Sequence, residues 1–284
     1  MISKRAIYHA FFVLYRICIL QYSCGYTQLS FPCPCIYAMI LVYGGDEMQH
    51  LFLRDIFIDW EKVTDYTQGI AALHSFDILK FHKQITFLTG ENGSGKSTLL
   101  EAIAVAYGFN PEGGTKNYRF YTRDTHSSLY EGIHMSRGPY QPSCSYFLRA
   151  ESFYNVATKA EDYESTYQGS ALHSCSHGES FLSFMQSFRD VGFFLLDEPE
   201  AALSVQRQLA LLIQLTTMAT EGSQFLIATH SPILLGVPDA QILSFDDGRV
   251  EEITYEQTAS YQITEMFINN RDYMLDKLLR EDDI

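Results

Sequence analysis

An α/β fold, with a mostly parallel central sheet flanked by helices, is the class this sequence predicts. Three observations carry the prediction. Short apolar runs at residues 85–89, 191–196 and 225–229 each end in a cluster of polar residues. Runs of that length and composition mark strands buried on both faces, as in a parallel sheet. Helical spacing fills the intervals: Leu99, Leu100, Ile103, Ala106 and Tyr107 recur on one face, and Gly108 and Pro111 end that helix. The third observation is size, since 284 residues at 46% hydrophobic suffice for one large α/β domain or two small ones.

The first strand runs directly into Gly90-Glu91-Asn92-Gly93-Ser94-Gly95-Lys96-Ser97, and the helix begins near Lys96. This stretch fits G-x-x-x-x-G-K-[ST] at every fixed position and has the strand–loop–helix context the pattern needs. Gly90, Gly93 and Gly95 let the backbone bend through conformations closed to other residues. Successive N–H groups, through to Thr98, can then turn inward as an anion nest at the positive end of the helix dipole. Lys96 adds a mobile point charge for outer phosphates, and the Ser97 hydroxyl suits Mg²⁺. The loop predicts a nucleotide and by itself names no reaction.

Charge narrows the partners. A net charge of −14 argues against a broad non-specific nucleic-acid surface, which depends on phosphate neutralisation by Lys and Arg. Arg119, Arg123, Arg137 and Arg149 fall in one region, and ordinary solvated arginines are the favoured reading. Four of the six cysteines lie in the first 35 residues, but Cys33-Pro34-Cys35 is too tight for a zinc knuckle.

Residues 1–47 differ from the rest. Their only charges are Lys4, Arg5, Arg16, Asp46 and Glu47, a net +1 that leaves −15 on residues 48–284. The apolar run 6–20 has 15 residues, too few for a membrane span, and holds His9 and Arg16. The segment is therefore expected to be an extension upstream of a natural start at Met48, with the functional domain at 48–284 and in the cytoplasm. No membrane domain is expected in the chain.

Further chemistry follows in order. The run at 191–196 ends in Asp197-Glu198-Pro199-Glu200; a buried strand delivering two carboxylates lets Asp197 orient Mg²⁺ and Glu198 polarise a water. The run at 225–229 ends in His230, placed 32 residues after Glu198, room for one helix and one strand. That puts His230 at a neighbouring tip, able to hydrogen-bond a γ-phosphate or the lytic water. Ser176-His177-Gly178-Glu179-Ser180 opens an amphipathic helix, where the Ser176 hydroxyl, the Gly178 amide and the dipole form a second anion site. Between these, a polar side chain leaving the segment 147–151 can reach Mg²⁺, and Glu151 is the candidate. Near the C-terminus, residues 241–245, the turn Asp246-Asp247-Gly248 and residues 250–253 read as a hairpin, followed by a final helix.

Together these motifs resemble an ATP-binding-cassette-type P-loop ATPase, in particular the stand-alone soluble ATPases of the AAA_21 kind, over roughly residues 48–280. The resemblance implies Walker A at 90–97, Walker B at 193–198, a signature at 175–180 inside a small lobe at about 110–190, a His switch at 230, and an antiparallel edge to the sheet. It further implies ATP and Mg²⁺ between the subunits of a homodimer. Lys96, Glu198 and His230 would be catalytic. Loop residues 90–98 (Glu91 and Asn92 included) would bind nucleotide with Ser176, Gly178 and Glu179, and Ser97, Asp197 and Glu151 would hold the metal. Three departures stand out. The usual Leu-Ser-Gly-Gly-Gln signature is Cys175-Ser176-His177-Gly178-Glu179; the usual Gln before it has no match, so Glu151 or Arg149 takes its place; and the adenine-stacking aromatic is open between Tyr66 and Phe76. Residues 110–143 carry no sustained heptad, which argues against a long coiled coil. Alternatives remain: a nucleotide-binding subunit of a transporter or of a DNA-repair or defence complex, its effector protein or nucleic-acid contact on another chain, or an ATP-clamped binding module with little turnover.

Overall fold

The computed structural model describes residues 51–115, 127–149, 185, 188 and 190–279, all within one compact unit, Gln49–Ile284. The expected extension at 1–47, the start at Met48, the signature at 175–180 and Glu151 lie outside the described residues.

Five strands form the centre: β3 (Ile85–Thr89), β6 (Cys144–Leu148), β7 (Gly192–Asp197), β8 (Gln224–Ala228) and β9 (Gln241–Ser244). With β4 (Gly114–Thr115) and β10 (Glu251–Glu252) at the edges, the order is β10-β9-β3-β8-β7-β6-β4. The pairs β3–β8, β3–β9, β7–β8 and β6–β7 are parallel, whereas β9–β10 and β4–β6 are antiparallel. The sheet is thus mostly parallel with antiparallel edges, as the sequence predicts.

Alternation along the strands explains why both faces are covered. Phe193 and Leu195 pack on one side with Leu99, Leu100 and Ile103 of helix α1 (Lys96–Tyr107). Phe194 and Leu196 face the other side, with Phe87, Phe225 and Ile227. That side is closed by Leu211, Leu215 and Met218 of a helix at Val205–Thr220. The side-chain period of two therefore reads as an unbroken apolar run only because a helix lies on each face. Phe194 and Phe225 stack across β7 and β8 with ring centroids 5.0 Å apart.

A smaller antiparallel sheet, β2-β1-β5, is built from β1 (Leu53–Ile58), β2 (Leu79–Lys80) and β5 (Ile133–Arg137). A short helix, α2 (Leu129–Gly132), leads into β5, and the helix at Val205–Thr220 is α3. One buried side chain ties this sheet to the central one. Gln224 Oε1 accepts from the Phe52 and Leu53 amides at 2.8 and 2.9 Å, and Gln224 Nε2 donates to Leu53 O at 2.8 Å. Asp65 makes a second clamp, accepting from the Thr67 amide at 3.0 Å and from the Ser128 amide at 2.5 Å.

Among the described residues of segment 110–190, β4 and β6 join the central sheet, while β5 pairs with β1. Cys144–Leu148 is apolar enough to be buried beside β7, so the central sheet absorbs it. The expected single C-terminal helix is two, α5 (Ala259–Asn269) and α6 (Arg271–Leu279), because Asn270 leaves helical geometry at φ −134 and ψ 37. A one-turn helix, α4 (Pro232–Leu235), precedes them after β8.

Replacing Gln224 by Ala strands two buried N–H groups and a carbonyl, each costing roughly 1–3 kcal/mol. Urea denaturation of Gln224→Ala is expected to show a loss of about 3 kcal/mol or more. Asp65 supplies a pH dependence. Burial raises its carboxyl, but the hydrogen bonds from Thr67 and Ser128 outweigh that and hold it below the usual carboxylate range. A depressed carboxyl stabilises the fold above its unfolded value, and that contribution disappears as pH falls through the folded one. Acid titration of Asp65→Asn is expected to be flatter than wild type below about pH 4.

Candidate nucleotide site

The phosphate loop leaves β3 at Thr89 and enters α1 at Lys96. Gly90 and Gly95 both have left-handed φ, at 133° and 104°. Each is also tightly enclosed. A Cβ on Gly90 would lie 3.0 Å from Asp246 Oδ1, and one on Gly95 would lie 2.8 Å from Ile70 Cγ2. Glycine is required at both for conformation and for space.

Lys96 is folded into its own loop. Its Nζ donates to Gly90 O and Glu91 O, both at 2.6 Å, and to Ser94 Oγ at 3.3 Å. The residue is only 5% exposed. Burial lowers its pKa, opposed by the negative charges of Asp246, Glu198 and Asp197. An ammonium held by neutral carbonyls and faced by three carboxylates is a ready partner for phosphate oxygens.

Opposite it stands the pair Ser97 and Asp197. The hydroxyl donates to Asp197 Oδ1 at 2.8 Å, joining α1 to the end of β7. Burial pushes the Asp197 carboxyl up to about 6, against the Ser97 hydrogen bond. A half-buried carboxylate with a hydroxyl neighbour is short of positive charge, and both are hard oxygen donors. These residues fit Mg²⁺.

Glu198 occupies the left-handed region at φ 45 and ψ 54, unusual for a residue with a side chain. Its amide donates to Ala228 O at 2.9 Å, locking the tip of β7 to that of β8. His230 comes from the β8 tip, and its Nε2 lies 3.9 Å from Glu198 Oε1. That is too long for a hydrogen bond, and this nitrogen is buried without a partner. The Glu198 carboxylate and the His230 ring are thus neighbours at the two strand tips.

The structure brings Gly90 to Thr98, Asp197, Glu198 and His230 to one edge of the central sheet. Ser176, Gly178, Glu179 and Glu151 lie outside the described residues. Arg149 is committed elsewhere, pairing with Glu101 at 3.2 Å, while Arg137 lies over the Tyr107 ring at 4.5 Å. Of the two aromatic candidates, Phe76 packs against the core and Tyr66 is 71% exposed. Sequence reasoning missed two residues. Asp246 Oδ1 accepts from the Glu91 amide at 2.9 Å, bracing the phosphate loop from the turn after β9. Glu200 Oε1 accepts from Thr229 Oγ1 and the His230 amide, both at 2.7 Å. Each belonged to a motif already noted, Asp246-Asp247-Gly248 and Asp197-Glu198-Pro199-Glu200, where the neighbouring residues explained the pattern alone.

Comparison with known proteins agrees with this arrangement. Residues 66–169 match the AAA_23 family model, described as an AAA domain. Residues 172–236 match AAA_21, described as "AAA domain, putative AbiEii toxin, Type IV TA system". No curated protein matches the chain. Similar solved structures include "a putative metal-chelate type ABC transporter" in an inward-facing conformation, at 17% identity and TM-score 0.41, over 76% of this chain and 89% of that one. An SMC head domain from Thermotoga maritima gives 14% identity and TM-score 0.39, over 72% and 99%. An SMC head bound to "the C-winged helix domain of ScpA" gives 12% and 0.42, over 72% and 99%. The two AAA-domain models lie across the strands and loops that build the site, AAA_23 over the phosphate loop and AAA_21 over Asp197, Glu198 and His230.

Proposed function

We propose that the protein binds MgATP in the cytoplasm, dimerises around it and hydrolyses it, so that ATP closes the dimer and hydrolysis opens it. The observation that carries this reading is the convergence of Lys96, the Ser97–Asp197 pair, Glu198 and His230 at one sheet edge.

The loop amides receive the β- and γ-phosphates, and Lys96 exchanges its loop carbonyls for their oxygens. Ser97 and Asp197 would hold Mg²⁺, which when bound neutralises charge on the phosphates. Glu198 accepts a proton from the attacking water as its oxygen bonds to the γ-phosphorus and the bond to ADP breaks. His230, donating from its Nε2, steadies either the γ-phosphate or that water. Ser176, Gly178 and Glu179 of a second copy would complete the site across the dimer, as the resemblance implies. Glu198 favours turnover over a static ATP clamp, because a clamp has no need of a free carboxylate beside the γ-phosphate.

Phosphate release by purified Lys96→Ala is expected to fall by on the order of 100-fold or more; unchanged release would refute the site. Glu198→Gln is expected to lose hydrolysis by about 100-fold or more while still binding ATP. Gel filtration of that variant with MgATP should give a dimer, and a monomer alone would remove the dimer from the proposal.

A further inference from the structure

After β8 ends at Ala228, the chain turns through Thr229, His230 and Ser231 into α4. Three donors of that turn converge on one oxygen. Thr229 Oγ1 and the His230 amide donate to Glu200 Oε1 at 2.7 Å, and the Ser231 amide donates to it at 3.1 Å. Glu200 sits on the helical turn Pro199–Ala202, directly after Glu198. Gln208 of α3 adds a parallel tie, accepting from Ser231 Oγ at 2.6 Å and donating to Leu203 O at 3.1 Å. The segment carrying Glu198 and the turn carrying His230 are therefore joined by side chains as well as by the Glu198–Ala228 backbone bond.

The energetics point beyond simple bracing. Glu200 Oε2 is buried and has no partner. An unpaired buried carboxylate oxygen costs stability, and a clamp serving the fold alone would satisfy both oxygens. Hydrogen bonds from neutral amides to a carboxylate are short and strong, so the turn gains a definite geometry in exchange.

We infer that Glu200 is a positioning residue: it fixes the 229–231 turn so that the His230 ring stays against the Glu198 carboxylate, within reach of the same phosphate. The kinetic consequence rests on the proposed ATPase reading; the structural one rests on the geometry alone. Without Glu200 the His230 amide loses its acceptor, the Ser231 amide keeps Thr229 Oγ1 at 3.0 Å alone, and the ring loses its fixed approach. Misplacement by about 1 Å can cost about 100-fold in rate. Nucleotide affinity should hardly move, because the loop, Lys96, Ser97 and Asp197 are untouched.

The test compares Glu200→Ala and Glu200→Gln in the full chain, by amide hydrogen exchange without nucleotide and by steady-state phosphate release with MgATP. Glu200→Ala is expected to speed exchange at residues 230 and 231 by about 10-fold or more. It should lower kcat by about 10- to 100-fold with KM within about twofold. Glu200→Gln, which keeps an acceptor oxygen, should restore most of both. In a His230→Ala background, Glu200→Ala should cost little further. Unchanged exchange in Glu200→Ala would overturn the inference, as would a loss confined to KM or one fully additive with His230→Ala. Wild-type protein that releases no phosphate would overturn the ATPase reading instead, while the exchange measurement still decides the role of Glu200.

Discussion

The site depends on one constraint, the parallel register of β3, β8 and β7. Leu88 and Asp197 both stand level with Ala228, so three strands end together at one edge of the sheet. Parallel strands must point their C-terminal ends the same way, and each is followed by a loop that has just left the hydrophobic interior. The phosphate loop, the Asp197–Glu198 pair and His230 are those three loops. Their meeting needs no direct attraction between them. It follows from apolar residues at 85–89, 193–196 and 225–228 that can be dry only inside the sheet. Interactions that look catalytic, such as Ser97 with Asp197, are consequences of that burial.

Electrostatics explains how such a site holds together. Four carboxylates (Asp197, Glu198, Glu200 and Asp246) cluster on this edge, and like charges this close would repel. The chain answers three of them locally. Burial lifts the Asp197 carboxyl while Ser97 donates to it, and Asp246 takes the Glu91 amide and the Ser244 hydroxyl. Glu200 takes two amides and a hydroxyl. Lys96 then supplies positive charge to the group as a whole, from a position where it also fills its own loop. Asp246 and Lys96 both hold the start of the loop, the one through the Glu91 amide and the other through the Gly90 and Glu91 carbonyls. The cradle is therefore shaped before a phosphate arrives, which reduces the ordering needed on binding.

Most of this was legible in the sequence, because the informative features are local. The phosphate loop announces itself by spacing, and β3 was readable to the residue because the short run Ile-Thr-Phe-Leu-Thr, with the β-branched and apolar residues of a buried strand, abuts it. The adjacency of β7 and β8, and with it the nearness of Glu198 and His230, followed from one helix and one strand separating them. What escaped was non-local or shared. Gln224 begins β8 and looks like an ordinary polar residue before an apolar run; its role appears only when the β1 backbone, 171 residues earlier, comes to it. Asp246 looks like one acid of a turn, since nothing adjacent shows that the phosphate loop lies against it. The break at Asn270 depends on one residue's backbone angles, which helical periodicity on either side does not encode.

Strain at Glu198 unites these points. A side-chain-bearing residue in the left-handed region is disfavoured by of order 1–3 kcal/mol and survives only where its surroundings over-determine it. Here the backbone bond to Ala228 fixes one side, and Pro199, with φ already restricted, begins the next turn. The sharp reversal turns the Glu198 side chain out from a strand in which Phe193, Phe194, Leu195 and Leu196 are fully buried. The same reversal carries Glu200, two residues on, back toward β8, where it meets the turn at 229–231. One strained backbone position therefore delivers both carboxylates, one toward His230 and the other beneath it. Relaxing that position would move the two together, so the geometry of the acid and of its histidine neighbour is set by a single local conformation.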